Sequence, residues 1–150
     1  MSIDLGTRRI GLAISDPLGI TAQGLPTLER QSQRQVLDHL QSLVGRYEVS
    51  LILVGNPLNM NGTEGGQSAK ARAFAGDLER RLGAKVLLWD ERLTSMEAER
   101  VLEDSGWQKN RRAENRRAEA VDRMAAVLLL QNFLESRRPG PQSLSSSEEP

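Results

Sequence analysis

Hydrophobic positions alternate with polar or small ones at the start of the chain. Ile3 and Leu5 flank an aspartate, and Ile10, Leu12 and Ile14 repeat with the same period through RRIGLAIS. A period of two sends successive side chains to opposite faces of a sheet, so both runs are expected to be strands. Gly6-Thr7-Arg8 joins them as a hairpin. A weaker third strand is expected from Thr21 to Glu29, bounded by Pro17-Leu18-Gly19 and by the polar run that follows. From Gln31 to Arg46 the period lengthens, and Val36, Leu37, Leu40, Leu43 and Val44 fall on one helical stripe.

Strand and helix then take turns. Leu51 to Val54 is a continuous apolar run that stops at Gly55, as a buried strand does. After a loop rich in Gly and Asn, residues Ala71, Phe74, Ala75, Leu78 and Leu82 mark a second helix, which Gly83 ends. Val86 to Trp89 is another buried strand. Thr94 and Glu97 have capping-box spacing and open a short helix carrying Ala98, Val101 and Leu102. The basic stretch Lys109 to Arg117 leads into a last helix, Glu114 to Glu135. Three antiparallel strands, a helix and two strand-helix units, joined by right-handed crossovers, predict an α/β domain. The expected core is a five-stranded mixed sheet with helices on both faces, the element order of the RNase H-like fold. Residues 1–136 form that domain, and the Pro/Ser-rich tail 137–150 is expected to be disordered.

Composition narrows the chemistry. The chain has 150 residues, 38% hydrophobic and 27% charged, the profile of a soluble globular domain. No apolar run approaches the ~20 residues of a bilayer span, and MSIDLGTRRI is no signal peptide, so a cytoplasmic protein without membrane contact is expected. There is no cysteine and one histidine, His39, which excludes disulfides, thiolate chemistry and a multi-histidine metal site. His39 points away from its helix's apolar stripe and reads as a surface residue. Lys+Arg and Asp+Glu both number 20, so no global basic field announces nucleic acid. Any catalysis must come from carboxylates, hydroxyls, arginines and backbone.

Three carboxylate positions stand out. Asp4 lies inside a strand expected at the centre of the sheet, where an ionised group is costly unless paired or metal-bound. Asp122 shares a helix face with Ala125, Ala126, Leu129 and Phe133, and a charge on that buried face calls for a cation. Helix-dipole stabilisation is the bland alternative. Asp90 and Glu91 close a strand at its carboxyl edge, where open α/β sheets bind ligands. Adjacent acids alternate faces, so only one of them points into a site. Three acids without a histidine or lysine base suggest ligands of a hard cation, Mg²⁺ or Mn²⁺. Two such ions would stabilise the attacking and leaving oxygens of phosphodiester hydrolysis. The loop from Gly55 to Gly66 leads into a helix N-terminus and offers amides to an anion, or else is a plain connection. Arg8, Arg9, Arg92 and the basic stretch Lys109, Arg111, Arg112, Arg116 and Arg117 are candidates to neutralise phosphates, with a solvated face, diluted by Glu114 and Glu119, as the bland alternative.

Taken in order, Asp4-Leu-Gly-Thr-Arg-Arg-Ile-Gly11 with Ser15-Asp16-Pro17, Val54-Gly-Asn-Pro-Leu58, Asp90-Glu-Arg-Leu-Thr-Ser95 and Val121-Asp122-Arg-Met-Ala-Ala126 resemble the YqgF/RuvX family of RNase H-like nucleases. The resemblance implies a divalent-metal nuclease, described for the family as processing the 5′ end of precursor 16S rRNA and as resolving Holliday junctions. Carried over by position, Asp4, Glu91 and Asp122 would be catalytic and hold Mg²⁺ or Mn²⁺. Nucleic acid would be met by Arg8, Arg9, Asn56, Arg92, Thr94, Ser95, Arg111 and Arg112. A homodimer is among the expected partners. Only Met1, Ser2 and Ile3 precede Asp4, fewer apolar residues than the family usually has, so either the first strand is short or the natural start lies upstream. Actin-like ATPases share the Asp-x-Gly hairpin but need a second such domain. The alternative from another class is a nucleic-acid-binding or ribosome-assembly adaptor that keeps the fold without turnover.

Overall fold

The computed structural model describes residues 1–92, 100, 103–104 and 111–139, with 111–113 as backbone only. Its strands are β1 (Ser2–Leu5), β2 (Arg9–Ser15), β3 (Ala22–Glu29), β4 (Leu51–Asn56) and β5 (Lys85–Asp90), in the sheet order β3-β2-β1-β4-β5. β1 pairs antiparallel with β2 and parallel with β4, so the direction of the sheet switches at its middle strand. The helices are α1 (Gln33–Arg46), α2 (Gly66–Leu82) and α3 (Arg111–Ser136). The expected α/β architecture is the observed one.

Strand alternation divides the core in two. Ile3, Ile10, Leu12, Ile52, Val54 and Val86 point to one face and pack with Val36, Leu40 and Leu78 of α1 and α2. The residues between them, Ala13 and Leu53 with Leu87 and Trp89, meet Ala126, Leu130 and Phe133 of α3 on the other face. Trp89 and Phe133 make an edge-to-face pair with centroids 5.1 Å apart. Burying Leu40, Ile52 and Leu78 completely contributes about 2 kcal/mol per side chain to the first cluster.

Local signals set the ends of the helices. At α1, the Ser32 hydroxyl accepts from the Gln35 amide and the Gln35 side chain accepts from the Ser32 amide, a complete capping box. Gly83 ends α2 in the left-handed conformation, φ 64°. Most boundaries shift by a residue or two, and two of the differences bear on the site. β4 runs through Gly55 to Asn56, because its pairing with β5 continues to Asp90. The last helix begins at Arg111 rather than Glu114, so Arg111 and Arg112 lie in its first turn. The helix expected at Thr94, with Thr94 and Ser95 themselves, and the tail from 140 onward lie outside the described residues.

Candidate active site

The site begins with the parity of the strands. Ile3 enters the α1–α2 core, so its neighbours Ser2 and Asp4 face α3. Ser2 confirms this direction: its buried hydroxyl donates to the Ala126 carbonyl at 2.7 Å. The same parity carries from Leu87 and Trp89 to Glu91, the first residue beyond β5, and Glu91 turns toward α3 and Asp4. Asp90 therefore faces the other way. It is exposed and accepts from the Arg92 amide at 3.0 Å and the Arg92 guanidinium at 2.8 Å, which hold its carboxyl below the usual range. Of the two adjacent acids, Glu91 is the one that meets Asp4.

Glycines make the room. Gly11 is the β2 partner of Asp4 in the antiparallel register. A side chain at Gly11 would overlap the backbone carbonyl of Asp122, so its absence lets α3 lie directly on the sheet there. Extending the β1–β4 register by one residue sets Gly55 on the other side of Asp4. A Cβ at Gly55 would overlap the Glu91 carboxylate, Oε2. Asp4 thus stands between two positions without side chains, and Glu91 and the Asp122 segment occupy the space.

The electrostatics follow from this crowding. Burial raises the Asp4 carboxyl, Asp122 raises it further, and a hydrogen bond with Glu91 opposes the rise. Glu91 is pushed up to about 9, first by burial and then by the charge of Asp4 and its hydrogen bond to Asp4. Glu91 is therefore the partner that carries the proton, donating it to the Asp4 carboxylate. Asp122 is half-buried and also raised, by burial and by Glu119, against the pull of Arg9, whose Nε donates to Oδ2 at 3.2 Å. The three acids named from the sequence thus lie on one face. Two are hydrogen-bonded to each other, and the third is paired with an arginine.

Hard oxygen donors at the carboxyl ends of β1 and β5 are the donor set that a divalent cation takes, and a cation would replace the proton between Asp4 and Glu91. The residues fit such an ion. Among the described residues no three acids converge closely enough to hold one as they stand. Asp122 is turned to Arg9 instead.

A cleft of about 400 Å³ opens beside the acids, between the β1–β2 turn and α3. Gly6, Thr7, Arg8 and Arg9 line one wall, and Glu114, Arg117, Ala118, Val121 and Asp122 the other. Arg8 is exposed there. Arg117, one of the basic stretch named from the sequence, lies on the α3 wall and pairs with Glu103 at 3.3 Å. Arg111 and Arg112 stand in the first turn of the same helix. Asn56 turns out to be a brace: its Oδ1 accepts from the buried Ser68 hydroxyl at 2.5 Å, tying the end of β4 to the first turn of α2. Sequence reasoning missed Ser68, whose signal was only a small hydroxyl on an inward helix position. The loop after β4 spends its amides on itself, Asn59 N on Thr63 O and Gly62 N on Asn59 O. The Arg92 guanidinium reaches the Met60 carbonyl at 3.5 Å.

Comparison with known proteins gives a consistent picture. The family model described as "RuvX: Holliday junction resolvase" matches residues 1–136. A protein of Koribacter versatilis named "Putative pre-16S rRNA nuclease" is 50% identical over 137 residues, covering 91% of this chain and 86% of its own. One of the same name from Thermoanaerobacter pseudethanolicus is 43% identical, covering 92% and 96%. Among solved structures, T. thermophilus RuvC in complex with a Holliday junction substrate has a TM-score of 0.51 at 15% identity, covering 90% of this chain and 92% of that one. The fowlpox virus resolvase, in complex with Holliday junction DNA, also has a TM-score of 0.51, at 12% identity over 90% and 95%. At such identity the two structures bear on the fold alone.

Proposed function

The chain belongs to the RuvX family of Holliday junction resolvases, and on that premise we propose that it is a divalent-metal-dependent nuclease whose ion is held by Asp4, Glu91 and Asp122. Its domain is residues 1–136. Its substrate is nucleic acid, with precursor 16S rRNA and four-way DNA junctions as the two classes that the names of its relatives suggest. The observation that carries the reading is the partly buried Asp4–Glu91 pair. Two carboxyl groups brought together beside positions without side chains, Gly11 and Gly55, repel one another unless a proton or a cation lies between them.

Mg²⁺ or Mn²⁺, when bound, supplies Lewis-acid activation of water and stabilises charge on the departing oxygen. The rest is done by the chain. Gly11 and Gly55 leave the space in which the carboxylates meet. Ser2 pins α3 to β1, which fixes Asp122 in height over Asp4. Arg8, Arg9 and Arg117 give the cleft the positive lining that a phosphate backbone needs beside an acidic centre. Asp90 holds Arg92, whose guanidinium reaches the loop after β4 at the Met60 carbonyl.

The test offers purified protein precursor 16S rRNA leader, single-stranded DNA and a four-way junction side by side, with Mg²⁺, Mn²⁺ or EDTA. Cleavage of at least one substrate that stops in EDTA supports the proposal. Binding without cleavage in either metal favours the adaptor.

A further inference from the structure

Asp122 is tied down by its backbone and held by its side chain, and these two constraints are independent. Its carbonyl lies against Gly11, the register partner of Asp4, so the helix cannot slide there. Its carboxylate accepts a hydrogen bond from Arg9 Nε at 3.2 Å, with the two side chains 19% and 26% exposed. Arg9 is two residues from Gly11 on β2 and shares its face, so Asp122 stands between Arg9 on one side and Asp4 on the other. Asp122 is close enough to Asp4 for its charge to raise the Asp4 carboxyl. Arg9 and Asp122 both line the cleft.

We propose, resting on the metal-site reading above, that Arg9 is a positioning residue that competes with the divalent cation for Asp122. Its guanidinium holds the carboxylate at the cleft edge. When the cation draws Asp122 toward Asp4 and Glu91, the guanidinium is freed to face the cleft and take a substrate phosphate. Charge is conserved through the exchange: the carboxylate passes from one cation to another, and the arginine passes from one anion to another. Arg8 and Arg117 do not play this part, because the guanidinium bonded to Asp122 is that of Arg9, while Arg8 is exposed and Arg117 is engaged with Glu103. The arrangement couples the two ligands, since metal makes the phosphate partner available and the phosphate retains Arg9 away from Asp122.

Titration calorimetry with Mn²⁺ on the full chain tests this. Arg9→Gln should tighten Mn²⁺ binding by about 3- to 5-fold, the factor that a partly exposed ion pair is worth. Arg8→Gln removes an equal charge next door and should leave the affinity unchanged. In an Asp122→Asn background, Arg9→Gln should have no effect. A second readout needs no variant: the Arg9 Nε–H resonance of the wild-type protein should shift and exchange faster with water as Mg²⁺ is added. Unchanged or weakened Mn²⁺ binding in Arg9→Gln, or an Arg9 resonance indifferent to saturating Mg²⁺, overturns the competition. If wild-type protein binds Mn²⁺ and Glu91→Gln does not, such a result overturns the competition alone. If wild-type protein binds no Mn²⁺, the metal site falls and the competition falls with it.

Discussion

Glu91 carries a proton at neutral pH because burial and the neighbouring Asp4 make a second negative charge costly. A carboxyl raised in the folded protein contributes stability that is complete below its unfolded value and is lost as the pH rises through the folded one. For Glu91 the window runs from 4.5 to about 9. In EDTA the melting temperature should therefore fall between pH 6 and pH 9, and saturating Mg²⁺ should reduce the fall. Glu91→Gln keeps a donor toward Asp4 without a proton to lose, so its melting curve in EDTA should be flatter over the same range. Metal binding should release protons at pH 7, seen as a dependence of the binding heat on the buffer. The sequence named Asp4, Glu91 and Asp122 through the family resemblance. It did not decide by residue pattern between Asp90 and Glu91. Leu87 and Trp89 held the answer, since their side of the sheet is the side of Glu91, but apolar residues on both faces of a buried strand hide which face is which.

The two glycines that shape the site belong to different elements and should respond differently to the same change. At Gly11 a methyl meets the backbone of α3, which cannot move without unpacking Ala126, Leu129 and Leu130. Gly11→Ala should destabilise the fold by about 1–3 kcal/mol, measured by urea denaturation. At Gly55 the methyl meets the end of a flexible side chain, Glu91, which can swing aside. Gly55→Ala should leave the unfolding free energy within about 1 kcal/mol of wild type and still weaken Mn²⁺ binding strongly. Equal losses of stability in the two variants would contradict this difference. Most elements were legible because their periods were clean. The start of α3 was not: Arg111 to Arg116 carries strong helix formers and no apolar stripe, so propensity extends the helix where periodicity is silent. The glycines were visible in the sequence, but their role depends on what lies across the sheet.

Across the whole molecule, the sheet switches direction at β1, and the acids gather at that strand's carboxyl end. The cleft beside them is bounded by the β1–β2 turn and α3. Arginines line it although the chain has no net charge. Nucleic-acid grip should accordingly be local. Alanine at Arg8 and Arg117 together should reduce the slope of log affinity against log salt by about one for each phosphate no longer neutralised. An unchanged slope would assign these arginines to a solvated face. The central claim is that the partly buried pair of Asp4 and Glu91 is the reacting centre, and that Asp90, the sequence neighbour of Glu91, is not. The most direct measurement is cleavage by Glu91→Gln and Asp90→Asn, prepared together and assayed in Mn²⁺ on precursor rRNA leader and a four-way junction. Glu91→Gln is expected to lose cleavage while remaining folded, and Asp90→Asn to keep it. Cleavage at the wild-type rate by Glu91→Gln would contradict the claim.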